Sequence, residues 1–372
     1  MYAITVSNTG STLATPQYIF RATGPVEPFF KTAGEVTTLS YLPGHMSIPV
    51  PRVIAYSSTS DNEVGCEWTL MEKVTGVALA DVWSDIDLET KTKVTRSVGG
   101  YVRQLRDLRR RFTGIGTLYF REDIDRFDAA VRMLRTEDEK YVLGPLVAPY
   151  MFAGGRKLRV PRDLGPYSND AEYIAALAAS ELEDMKLLLS PDARLHSDFD
   201  EDLAEDAENI IQVLEKLQPI LSVLFPSQPR NFALHHHDLS LSNILVDPAT
   251  YQITGIVDWE CVGTRPHWED TYPQFLLGPE ITEEEPLAPG DTNAVRVECW
   301  ENWEKVKLRL VFDKALGEAL RDDDGRDEIR REFRTQLDIV GISPKMVQNW
   351  MKESGERCMN VLSAESEDLM DR

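Results

Sequence analysis

The chain has 372 residues, 42% hydrophobic and 27% charged, with a formal net charge of -22, a globular composition with room for two domains or one large two-lobed one. That acidity disfavours nucleic acid as a partner, because phosphates would be repelled, and no apolar run approaches the roughly 20 residues that span a membrane. The four cysteines, Cys66, Cys261, Cys299 and Cys358, lack C-x-x-C spacing and read as free thiols of a reducing compartment, the cytoplasm.

The N-terminus has no secretory core. It is rich in Ser and Thr and free of acids before Glu27, which keeps a mitochondrial transit peptide as the alternative. Its alternation also reads as two strands, "MYAITVSN" and "PQYIFRATG", around the turn "TGSTLATP". "KTAGEVTTLSYLPGH" follows as a short helix stopped by Pro43 and Gly44, and Thr32 to Glu35 has the T-x-x-E form of a capping box. "IPVPRVIAYS" and "CEWTLMEKV" read as two more strands. The region up to residue 73 is thus small and β-rich.

Helices dominate from there on. Val94, Val98, Tyr101, Val102, Leu105 and Leu108 recur at helical spacing, as do Leu203, Ala207, Ile210, Leu214, Leu217 and Leu221. "LVAPYMFAGGRKLRVPRDLGPY" between them reads as an extended hairpin insert. From Glu181 to Glu208 the chain is strongly acidic, with Lys186 and Arg194 the only bases. This is a solvated stretch with acids well placed at a helix N-terminus, or a lip that attracts a cationic substrate. Residues 281–372 carry Trp300, Trp303, Trp350 and several helical stretches, expected to pack on the large lobe as an extension of the 74–280 region.

The chemistry concentrates in "LHHHDLSLSNILVD", residues 234–247. After it, "PATY" reads as a turn and "QITGIVDWE" as a strand that delivers Asp258. A zinc site from His235, His236 and His237 is disfavoured, since neighbours on a strand point to opposite faces. The order H-x-D-L-x-x-x-N, hairpin, aspartate suits phosphoryl transfer better. That reaction needs a base near the attacking hydroxyl and hard oxygen ligands for Mg²⁺ beside the phosphates. Asp238 fits the base, Asn243 and Asp258 fit the metal ligands, and His236 would orient the loop.

"HHHDLSLSNILVD" followed by "ITGIVDWE" resembles the aminoglycoside phosphotransferase and choline kinase-like family, in particular its large fungal members. The likeness extends upstream through "KTAGEVTTLSYL", "IPVPRVIAY" and "WTLMEKVTGVALADVW". It implies an α+β, two-lobed, protein-kinase-like fold with a small antiparallel β lobe and a large, mainly helical lobe. It also implies an ATP- and Mg²⁺-dependent kinase acting on a hydroxyl of a small molecule; the acidic Glu181–Glu208 block and the net charge point to a cationic or polyhydroxylated one. Asp238 then matches the catalytic base, and Asn243 and Asp258 match the Mg²⁺ ligands. Glu35 matches the helix glutamate that pairs with a phosphate-binding cation. The backbone of Glu72 and Val74 would hold adenine, with Met71 lining the pocket, and Asp270 would cap the next helix and brace the catalytic loop.

Three departures from the family pattern stand out. Arg21 replaces the expected lysine, and an arginine fork is not equivalent to an ammonium; Lys31 is the other cation nearby. No Gly-rich phosphate loop precedes the Arg21 strand, so the chain reads as starting inside the second strand of the small lobe. His237 replaces a glycine. These departures favour a second reading, a catalytically inactive kinase-like binding or scaffold protein. The intact Asp238, Asn243 and Asp258 favour the enzyme.

Overall fold

The computed structural model describes residues 2–5, 17–124, 131–151, 163–191, 201–225, 232–279, 294–317 and 326–354. Strands β1 (Tyr2–Thr5), β2 (Gln17–Thr23), β3 (Val53–Ser57) and β4 (Glu67–Glu72) form one antiparallel sheet in the order β1-β2-β4-β3. Arg21 lies opposite Thr69 in the β2–β4 ladder. The expected turn between β1 and β2 lies outside the described residues.

Helix α1 (Phe30–Tyr41) buries Ala33, Val36 and Leu39. Its N-terminus differs from the sequence expectation. The cap residue is Phe29, with no side-chain cap bond, and Thr32 lies inside the helix. The T-x-x-E capping box therefore does not form. Instead the Phe29 N–H donates to the Glu67 carboxylate of β4 at 2.6 Å, so a negative charge from the neighbouring strand sits at the positive end of the helix dipole. This leaves the Glu35 side chain available to the cleft.

The larger lobe contains β5 (Val77–Ala78), α2 (Leu88–Asp107), β6 (Thr117–Phe120), α3 (Arg121–Ile124), β7 (Leu134–Arg135) and β8 (Tyr141–Gly144). It continues through α4 (Asp170–Leu188), α5 (Glu201–Leu224), β9 (Ala233–His235), β10 (Ile244–Val246), β11 (Ile253–Ile256), β12 (Gly263–Arg265), α6 (Ala294–Leu316) and α7 (Arg326–Ile339). The periodic runs sit in α2 and α5, where Val94, Val98 and Leu105, and Ala207, Ile210, Leu214 and Leu217, are buried. Half of the expected hairpin insert, residues 152–162, lies outside the described residues, as does the middle of the acidic block from Glu181 to Glu208, residues 192–200. The fold is α+β, a small antiparallel β lobe beside a mainly helical one.

Three features of the fold place the site. The sheet β11-β10-β5 joins the segment after β4 to the catalytic hairpin, pairing Leu245 with Ala78 and Val246 with Val77. Gly76, at φ 117, allows that approach: a Cβ there would stand 2.5 Å from the Val246 carbonyl oxygen. A second sheet, β6-β8-β7, backs α1 from the large lobe. Gly34 faces the Thr117 methyl there, and a Cβ would lie 2.5 Å from it. Finally, α6 packs along α2, where Lys91 Nζ and Glu304 form a buried pair at 2.6 Å.

Candidate active site

Sheet, helix and hairpin meet at a cleft of about 420 Å3. Its lining includes Arg21, Glu35, Met71, Glu72, Val74, Asn243 and Asp258, which come from β2, α1, the end of β4 and the two sides of the hairpin. Met71 is buried in the apolar wall. The Glu72 N–H already donates to the Arg52 carbonyl at 2.9 Å, so of its backbone groups only the carbonyl is left for a base. Arg21 forms an ion pair with Glu35, whose side chain is 2% exposed, and lies 3.4 Å from Asp258 Oδ1 and 3.5 Å from Glu260. Lys31 does not take the place of Arg21; it bonds Glu260 at 2.9 Å. Glu260, two residues beyond Asp258, thus pairs with both Arg21 and Lys31.

Asp258 follows β11 at φ 63, a left-handed conformation that aspartate tolerates better than most residues. Burial and then the Glu260 carboxylate hold its carboxyl above the usual range, against the opposing pull of Arg21. Trp259 beside it is fully buried and donates its indole N–H to the Ile256 carbonyl at 2.8 Å. Its ring packs edge-on against His236 at 4.7 Å.

The loop after β9 is fixed from below. His236 Nε2 lies 3.1 Å from the Val257 carbonyl oxygen, and burial pushes its pKa down to about 4. The ring is therefore neutral and donates from Nε2 to that carbonyl. Its role is to tie the loop to the strand that delivers Asp258. Asn243 Nδ2 donates to the Asp238 backbone oxygen at 3.0 Å and to its carboxylate at 2.9 Å. Val257 N–H donates to the Asn243 carbonyl at 2.9 Å. Asp238 and Asn243 form one bonded unit, and Asn243 and Asp258 line the same cleft. His237 is exposed and is not among the residues at positive φ, so histidine in place of glycine costs no backbone strain.

Asp270 braces the loop as expected, but it does not cap the next helix. It ends the short turn His267–Glu269. Its carboxylate accepts from Arg106 Nε of α2 at 2.6 Å and lies 3.6 Å from His235 Nε2. Cys261 is buried, and burial pushes its thiol up to about 12, as a packing role requires. Sequence patterns alone assign no role to Glu260, Trp259 or Arg106. Glu260 and Trp259 stand inside the "DWE" run, which was the available signal. Nothing local marks Arg106.

The sequence matches the profile of the phosphotransferase enzyme family over residues 5–290. A subtelomeric hrmA-associated cluster protein of Aspergillus fumigatus is 29% identical over 282 residues, 66% of this chain and 53% of that protein. The mitochondrial protein altered inheritance of mitochondria protein 9 of Candida tropicalis is 28% identical over 317 residues, 78% of this chain and 49% of that protein. The chain thus spans about half the length of the curated relatives it matches. Among solved structures, an aminoglycoside phosphotransferase of Streptomyces rimosus aligns at TM-score 0.38 and 16% identity, over 91% of this chain and 92% of that one. The GDP and kanamycin complex of an aminoglycoside 2''-phosphotransferase aligns at TM-score 0.39 and 13% identity, over 99% and 93%. With the profile covering more than half of its length, the chain belongs to the phosphotransferase enzyme family.

Proposed function

We propose that this chain transfers the γ-phosphoryl group of ATP, with Mg²⁺, to a hydroxyl of a small molecule. The observation that carries the reading is the convergence of Asn243 and Asp258 with the Arg21–Glu35 pair on one cleft, with Asp238 bonded to Asn243 beside it. The donor set fits the metal. Asn243 spends its Nδ2 on Asp238, which leaves Oδ1 as its metal-binding atom, and Asp258 adds a carboxylate beside it; Mg²⁺ prefers such hard oxygen ligands. The apolar wall around Met71 and Val74 fits a base, and Arg21 fits the phosphates.

Bound there, Mg·ATP supplies a phosphoryl group whose developing charge the metal helps to neutralise. The chain's own residues do the rest. Asp238, held by Asn243, orients the acceptor hydroxyl and takes its proton. Glu35 fixes the Arg21 guanidinium, and Glu260 holds Arg21 and Lys31 at the phosphate side. His236 and Trp259 keep the two aspartates in register. For the compartment, we favour the cytoplasm; the names of the yeast relatives speak for the mitochondrion as alternative.

One observation favours the binding-only reading: Arg21 stands in the lysine position and pairs directly with Asp258. Two substitutions separate the readings. Asp238→Asn keeps shape and removes the base, so acceptor-dependent ADP release falls by about 10²- to 10⁴-fold. Mg·ATP affinity changes by less than about 1 kcal/mol, because its ligands remain. Asp258→Asn weakens nucleotide binding as well as turnover. Equal turnover with Asn at 238 overturns the assignment of Asp238 as the base, and no turnover with any acceptor in the unmodified chain that binds Mg·ATP overturns the enzyme assignment.

A further inference from the structure

A second cavity opens on the other side of the catalytic loop. It measures about 210 Å3 and lies between α2, the segment 234–239 and the segment 270–277. Asp238 lines it, whereas Asn243 lines the larger cleft. The 2.9 Å bond between these two side chains links the linings of the two spaces. A hydroxyl held in the second cavity meets the base from the side opposite the nucleotide, which is the arrangement in-line transfer requires.

The lining restricts what can enter. Pockets that take drug-sized ligands run to roughly 300–1,000 Å3, so a volume of about 210 Å3 surrounds a compact molecule, whereas a multi-ring one would extend beyond it. Apart from Asp238 itself, the charges of the lining cancel. The Asp270 carboxylate is bound by Arg106 through Nε at 2.6 Å and Nη2 at 2.5 Å. His235 is held below its usual pKa, first by burial, and contributes a neutral ring. Among the described residues, the lining offers no aromatic cage for a quaternary ammonium either. Such a cation is recognised by the faces of aromatic rings, and the lining has one phenol, Tyr272. Its ring already carries the Arg309 guanidinium at 5.8 Å, and its hydroxyl donates to Asp313 at 2.9 Å. What remains is a set of groups that pair with hydroxyls: His235, the Arg106–Asp270 pair, Thr271 and Gln274.

Resting on the phosphotransferase reading above, we propose that the acceptor is an uncharged polyhydroxyl compound of single-ring size, bound in the cavity between α2 and the catalytic loop. Its hydroxyl oxygen forms the new bond to the γ-phosphorus as the bond to the β–γ bridging oxygen breaks. That electron pair leaves on ADP, and the hydroxyl proton passes to Asp238. Gln274, exposed at the rim, sets specificity by pairing with a hydroxyl that does not react.

The test is ADP release from Mg·ATP by the full chain with four acceptor probes: a set of hexoses and pentoses, myo-inositol, choline and kanamycin. Calorimetric binding of Mg·ATP runs in parallel. At least one monocyclic polyol is expected to exceed choline and kanamycin in kcat/KM by about tenfold or more, the effect of one well-made hydrogen bond. Gln274→Ala then raises the KM of that polyol by about tenfold, with a smaller change in kcat. Choline or kanamycin as the best acceptor, or Mg·ATP binding with no polyol stimulating release, overturns the acceptor class and leaves the phosphotransferase reading standing. Absence of Mg·ATP binding overturns that reading, and the acceptor proposal with it.

Discussion

Asp238 and Asn243 are five residues apart and bonded, so the sequence alone shows the pair. Asp258 is reached through a hairpin that the turn "PATY" marks. These are local relations, and they were legible. Arg106 and Asp270 stand 164 residues apart, and only the fold brings them together; the same holds for Lys31 and Glu260. His236 shows how a residue's environment decides its role. Its folded-state pKa of about 4 lies below the ordinary value near 6.5. The neutral ring therefore contributes stability that is complete above pH 6.5 and is lost as pH falls towards 4. The full difference amounts to about 3 kcal/mol. Urea unfolding between pH 4 and 7 measures it: a His236→Gln variant should lose part of the wild-type slope below pH 6.5. Parallel curves for the two proteins would show that His236 is not held neutral.

Helices α2 and α5 were legible because each shows a long apolar face at 3.6-residue spacing. Helix α4 was not read from its apolar pattern. Its start is marked instead by Asn169, which accepts from the Glu172 N–H at 2.9 Å, while the Glu172 carboxylate accepts from the Ser168 N–H at 2.9 Å. This N-x-x-E signature was the available signal. The sheet β6-β8-β7 is built from strands of four residues or fewer, too short for their alternation to decide between helix and strand. That sheet matters because it fixes α1, and with it Glu35. The contact allows no side chain at Gly34. Gly34→Ala should cost about 1–3 kcal/mol by overpacking and weaken nucleotide binding through the displaced helix. Thr117→Ser removes the opposing methyl but keeps the hydroxyl that accepts from the Val147 N–H at 3.1 Å. The double variant should recover stability and binding together. Gly34→Ala with unchanged melting temperature would contradict this account of how α1 is seated.

At the scale of the whole molecule, the larger space lies between the small β lobe and the helical lobe and the smaller one within the helical lobe, with Asn243 lining the first and Asp238 the second. One is apolar with cations at its far end, and the other is polar. In the second space the Arg106–Asp270 pair cancels, which leaves Asp238 as the acid of its lining. The C-terminal helix α6 supports this arrangement at a distance: Arg309 binds the carbonyls of Leu276 and Gly278 at 3.0 and 3.2 Å, and so holds the segment that walls the polar cavity. The larger space is the one on which the functional reading depends. Thermal unfolding with and without Mg·ATP probes it directly. At one hundred times Kd, binding to the folded state alone adds about 2.7 kcal/mol, so the melting temperature should rise, and omission of Mg²⁺ or Asp258→Ala should remove most of the rise. An unchanged melting temperature at millimolar Mg·ATP, the same in wild type and Asp258→Ala, would contradict the assignment of this cleft to the nucleotide.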